Sequence, residues 1–113
     1  MATTTNTDGH IEGRLDGADY GDNVSREVED GDHSYSLTAD GHGKLAFKVE
    51  LQELNENGGG AHWVTIEEKQ KIQDTTVNGS FHVSAQTDDD KALLRFNFNR
   101  EFLARAVDYD LRW

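Results

Sequence analysis

Five histidines, at positions 10, 33, 42, 62 and 82, and twenty-two carboxylates are the residues of this chain that could do chemistry. Together they suggest a divalent metal. No pair, however, has the H-x-x-x-H spacing that sets two imidazoles on one helix face, and none stands beside a suitable third ligand. His62 and His82 each neighbour an aromatic residue by one position, so adjacent strands could bring them together. Histidines in surface turns are the simpler reading. The acidic stretches Asp16 to Asp22, Asp30-Gly31-Asp32 and Asp88-Asp89-Asp90 offer the hard oxygens that calcium prefers. None matches the twelve-residue EF-hand loop with its closing glutamate, so a solvated loop is the default and calcium at the Asp88 loop the alternative.

Nucleophilic catalysis has little to work with. There is no cysteine and no G-x-S-x-G elbow, and Ser34, Ser36, Ser80 and Ser84 fall in strand-like segments, where they decorate a solvated face. Gly58-Gly59-Gly60 is not followed by Lys-Ser or Lys-Thr, so a phosphate-cradling loop is absent. The expectation is a protein that is not an enzyme, with no catalytic residue, no metal and no cofactor. Trp63 and Trp113 could form a platform on which a sugar stacks, but a core Trp63 and a Trp113 packed on a sheet are the commoner fates.

The elements that must position these residues are short. A chain of 113 residues fits one domain with one core. Residues Met1 to Asp22 hold only Ile11, Leu15 and Tyr20 as large apolar groups, and such a stretch reads as a flexible leader before a domain over 23–113. Within it His10-Ile11-Glu12-Gly13-Arg14 looks like a protease site used in expression vectors, with coincidence the better reading. The formal charge of −11 repels phosphate backbones and anionic headgroups, which argues against nucleic acid as a partner. With no signal-like start, no bilayer-length apolar run and no disulfide framework, a cytoplasmic protein without direct membrane insertion is expected.

From Asn23 onward apolar residues recur with period two. Leu45, Phe47, Val49 and Leu51 alternate with polar neighbours, as do Tyr35 with Leu37 and Phe81 with Val83. Val24 to Val28 is a weaker strand, Ala39 to Gly43 reads as a hairpin loop, and Asn78-Gly79 is the strongest turn signal in the chain. Asn55 to Gly60 is a loop by composition, and Glu68 to Asp74 reads as a helical turn or a connection. The closing stretch FNFNREFLARAVDYDLRW has period two at both ends. Leu94, Phe96 and Phe98 form one strand and Val107, Tyr109, Leu111 and Trp113 another, with a break over Arg100 to Ala106 holding at most one helical turn. The fold class is therefore all-β, an antiparallel sandwich of about seven or eight strands, jelly-roll or GOLD-like, with a small barrel as the alternative.

Leu94-Arg95-Phe96-Asn97, then Phe102, then Arg105-Ala106-Val107-Asp108-Tyr109-Asp110-Leu111 resembles the end of the GOLD (Golgi dynamics) domain. Gly31 to Leu37 and Gly43 to Phe47 are similar to its opening, so the resemblance spans about residues 24–113. It implies a compact sandwich that binds proteins during Golgi and endosomal trafficking. Asn97-Phe98-Asn99 stands where that family usually shows Asp-Asn-Ser.

The function expected on these grounds is a protein-interaction adaptor with a protein partner. The alternatives are a carbohydrate- or calcium-dependent binding sandwich and a structural or assembly subunit. Contacts would fall on end loops, with Asn57, Gly58 and Gly59 in one and Asp88, Asp89 and Lys91 in the other.

Overall fold

Alternation builds this protein. In the computed structural model, which describes residues 5–7, 9–17, 20–41, 43–54, 60–85, 90–101 and 106–113, nine strands form and every pairing between them is antiparallel. They are β1 (Thr5–Thr7), β2 (His10–Leu15), β3 (Gly21–Glu29), β4 (Gly31–Gly41), β5 (Leu45–Leu54), β6 (Ala61–Ile72), β7 (Thr75–Val83), β8 (Lys91–Arg100) and β9 (Val107–Arg112). One sheet has the order β1-β2-β9-β4-β7 and the other β3-β8-β5-β6. Two separate sheets make a sandwich, as the alternation implies, and not a closed barrel. No helix among the described residues is long and apolar enough to cross a membrane.

The core lies between the inner faces. Phe47, Phe96 and Phe98 of the second sheet meet Tyr35, Phe81 and Tyr109 of the first, all of them buried. Phe98 stacks on Tyr109 at 4.1 Å between centroids with the rings 10° from parallel, and Tyr35 meets Phe47 at 5.4 Å. Phe81 meets Phe96 edge to face, and Phe96 also carries Trp113, stacked at 4.8 Å, so Trp113 packs against the core as expected. Buried tyrosine hydroxyls need partners. Tyr109 donates to Asp22 at 2.8 Å and Tyr35 to Glu67 at 2.8 Å, each bond crossing from the first sheet to the second. Burial, then the hydrogen bond to Glu67 and its charge, pushes the Tyr35 pKa up, so that hydroxyl stays protonated as a donor.

The structure corrects the local reading at several places. Residues 10–15, expected inside a flexible leader, are β2, which pairs along its whole length with β9, and Ile11 and Leu15 are fully buried opposite Leu111 and Val107. Two large side chains suffice there because β9 supplies the other wall. Ala39 to Gly43 is no hairpin loop: β4 and β5 lie in different sheets. β4 ends at Gly41, whose φ of 129° suits glycine and where a Cβ would stand 2.5 Å from the Ala106 carbonyl oxygen. Asn78-Gly79 is not a turn but the middle of β7, and a Cβ on Gly79 would meet Tyr35 Oη at 2.6 Å and Glu67 Oε2 at 2.7 Å. Glycine is needed there for close approach. Glu68 to Ile72 continues β6, and the chain crosses to β7 through Asp74 at a φ of 47°. Of the break expected over Arg100 to Ala106, Arg100 closes β8 and residues 102–105 lie outside the described residues.

Leu15→Ala is expected to lower the free energy of unfolding by about 2–5 kcal/mol, the range for a large apolar side chain removed from a packed core. Urea titration followed by tryptophan fluorescence measures it. A value within error of zero would restore the leader reading.

Candidate functional site

The outer face of the second sheet carries a connected set of planar polar groups beside one aromatic ring. On β5 the residues between the core positions are Lys48, Glu50 and Gln52, and on β8 they are Arg95 and Asn97. Register sets Glu50 beside Arg95 and Lys48 beside Asn97. On the other side of β5, Gln52 faces Trp63 and Glu50 faces Thr65 of β6, with a bulge at Val49/Glu50 where β6 gains a residue. Bulges re-aim side chains, and here the register leaves Val64 opposite buried Leu51 and turns Trp63 outward. The expected core position for Trp63 is thereby overturned: of two adjacent apolar residues on a strand only one can face in, and here that is the half-buried Val64.

Glu50 is the hub. Its Oε1 accepts hydrogen bonds from Arg95 Nε at 3.0 Å and Asn97 Nδ2 at 2.7 Å, Arg95 Nη2 stands 3.0 Å from the same oxygen, and Lys48 Nζ is 4.0 Å from Oε2. The Glu50 side chain is only 11% exposed, a depth at which an unpaired carboxylate would be costly. Desolvation is the largest influence on its pKa and pushes it up. The hydrogen bonds from Arg95 and Asn97, with the charges of Lys48 and Arg95, together outweigh it and hold the carboxyl below its usual value. Arg95 in turn lies over the Trp63 ring, its guanidinium carbon 4.2 Å from the centroid, a cation–π contact that fixes both groups. Ser25 and Asn23 of β3, level with Arg95 and Asn97 and exposed, extend the polar face. This arrangement can present an apolar ring edge together with fixed donors and acceptors to a flat, hydroxyl-rich ligand.

Of the loop residues expected to make contact, only Lys91 is described. It opens β8, exposed, level with Glu29, and with Glu29, Asp30 and Asp90 lines an open cavity of about 380 Å³. Asn57, Gly58, Gly59, Asp88 and Asp89 lie outside the described residues, and with Asp88 the alternative calcium loop. The flanking strand ends are informative: since Leu51 pairs with Leu94, Leu54 and Lys91 sit at the same end of the sheet. His62 and His82 are on β6 and β7, in different sheets and not on neighbouring strands, and His82 Nδ1 instead meets Asp32 at 2.7 Å. His33 stacks on Phe81 at 5.5 Å. His42 is outside the described residues. His10 does have carboxylates beside it, Glu12 and Asp110, which no spacing rule within one helix could reveal because they come from two strands.

No family model matches the chain, and no curated protein matches it. Solved structures do. The crystal structure of PirA aligns with a TM-score of 0.56 at 13% identity, over 96% of this chain and 97% of that one. A structure of carbohydrate-binding modules from the beta-sandwich super family aligns with a TM-score of 0.57 at 8% identity, covering 96% of this chain, which spans about half (51%) of the other. The CBM22-1 xylan-binding domain from Paenibacillus barcinonensis Xyn10C aligns with a TM-score of 0.50 at 11% identity, over 99% and 80% of the two chains. At these identities the likeness shows the fold, a β-sandwich.

The Glu50 network generates a pH test. A folded pKa below the ordinary 4.5 means that the native state binds fewer protons than the unfolded chain as pH falls below that value. The stabilisation is complete above about pH 4.5 and is lost as pH drops through the depressed native value. Glu50→Gln, which lacks this titration, is expected to show a shallower fall in unfolding free energy under acid than the parent chain, read by denaturant titrations at a series of pH values. Parallel profiles would mean that Glu50 is not held by Arg95 and Asn97.

Proposed function

We propose that this domain is a non-enzymatic carbohydrate-binding module whose ligand lies across the outer face of the second sheet. The observation that carries the reading is the Trp63 ring packed on Arg95, with Arg95 and Asn97 both tied to Glu50. A pyranose presents an apolar C–H face and a rim of hydroxyls. An indole takes the first by stacking, and fixed guanidinium, amide and carboxylate groups take the second by paired hydrogen bonds. Arg95 covers one side of the indole, so the sugar packs against the uncovered part of the ring while its hydroxyls reach Gln52, which faces Trp63 across the strand pair, and the partly exposed guanidinium of Arg95. Because the polar groups are held by one another, little side-chain freedom is lost on binding. The fold shared with carbohydrate-binding modules supports this reading over the others, though fold alone does not assign function. A trafficking adaptor, the reading implied by the GOLD resemblance, stands second and rests on the residues that form β8 and β9.

A glycan array probed with the whole chain is expected to show binding to at least one class of polysaccharide. Trp63→Ala is expected to weaken that binding by roughly thirtyfold, the equivalent of about 2 kcal/mol for loss of a central aromatic contact. Titration calorimetry with the best array ligand measures the change. An array with no bound glycan, or unaltered affinity in the variant, overturns the proposal.

A further inference from the structure

The outer face of the first sheet, on the other side of the sandwich from Trp63, holds a different chemistry. β2 and β9 set Glu12 directly level with Asp110 and His10 level with Arg112, and the neighbouring register sets Asp108 level with Asp40. Like charges directly opposite one another on a sheet repel. The four carboxylates, of Glu12, Asp40, Asp108 and Asp110, line an open groove of about 460 Å³ with Arg14 and Thr38. Arg14 is engaged by Asp108, at 3.0 and 3.1 Å, and by Asp16.

Glu12 and Asp110 of the groove wall meet His10, and three donor atoms converge there. His10 Nε2 is 3.1 Å from Asp110 Oδ1 and 3.8 Å from Glu12 Oε2, and one donor atom from each of the three residues lies within 4.8 Å of the others. Asp110 Oδ1 also accepts a hydrogen bond from Arg112 Nε at 3.1 Å, which leaves its second oxygen as a further ligand atom. A zinc ion bound tetrahedrally at 2.0–2.1 Å separates its ligand atoms by about 3.3 Å. The spacings from His10 therefore bracket that value before any side chain moves. The imidazole also selects among ions: one nitrogen with two carboxylates suits a first-row divalent cation, whereas calcium and magnesium take oxygen.

We propose that His10, Glu12 and Asp110 form a site for a first-row divalent cation, zinc by preference, with a coordination position left open to water or to a ligand hydroxyl. Partial exposure of all three residues gives the ion a path in, and its charge offsets the opposed Glu12 and Asp110 carboxylates. In the 3.1 Å hydrogen bond to the Asp110 carboxylate, which can only accept, Nε2 carries the ring proton; metal binding displaces that proton and leaves the ring protonated on Nδ1, so that Nε2 offers its lone pair. The site does not depend on the sugar-binding proposal, since the two faces share no residue.

Titration calorimetry of the whole chain, first stripped with chelator, is expected to show one zinc ion bound per chain and no calcium bound at the same concentration. Zinc at about 100 times its Kd is expected to raise Tm by several degrees. His10→Ala is expected to weaken zinc binding by tenfold or more, and Glu12→Gln, a change at a half-exposed side chain that leaves the core intact, is expected to weaken it as well. His82→Ala is expected to leave it unchanged. No zinc uptake, uptake that survives both His10→Ala and Glu12→Gln, or uptake lost in His82→Ala overturns the proposal.

Discussion

The contact on which the rest of the molecule depends is the stack of Phe98 on Tyr109. Phe98 belongs to β8 and Tyr109 to β9, strands that follow one another in the chain and yet lie in opposite sheets. The two rings therefore hold together the faces of the sandwich at the point where the chain passes from one to the other. The Tyr109 hydroxyl then reaches Asp22 on β3, so a single side chain joins apolar burial to a directional bond across the layers. Directional bonds of this kind select one alignment of the sheets among the many that apolar packing alone would tolerate. Tyr35 repeats the device with Phe47 and Glu67 at another place in the core.

With alignment settled inside, the two outer faces are free to differ. The face of the second sheet gathers a carboxylate, an amide, a guanidinium and an indole into one mutually bonded set around Glu50. The face of the first sheet over β2, β9 and β4 places carboxylates opposite carboxylates, with Arg14 and Arg112 as partial counterweights. Alternation assigns every second residue to one of these faces, so the same periodicity that fills the core also decides which polar groups stand side by side. The bulge at Val49/Glu50 is the exception that serves the rule, because it puts Val64 inward and Trp63 outward.

Much of this was legible in the sequence, and the limits have physical causes. Leu45 to Leu51 and Leu94 to Phe98 announce their strands and their inward faces, because period two is a local property. The β2 strand was hidden, since Ile11-Glu12-Gly13-Arg14-Leu15 has glycine where a third inward side chain would make the pattern visible. Asn78-Gly79 misled because a turn dipeptide is also a local signal, whereas the need for glycine at 79 comes from Tyr35 and Glu67, both distant in the chain. The outward set Lys48, Glu50, Gln52, Arg95 and Asn97 could be read from parity, but adjacency could not. Nothing within a strand tells which strand lies next to it, and so both the Trp63 array and the trio around His10 required the fold.

Strand order has a temporal meaning as well. β9 sits between β2 and β4 at the middle of its sheet, and β8 sits between β3 and β5, so each sheet is completed by a strand synthesised late. Until then β2 and β4 have no bridge between them, and β3 has no partner. During translation one edge of β2, one edge of β4 and both edges of β3 stand open, and the abundant negative charge repels one such unfinished chain from another.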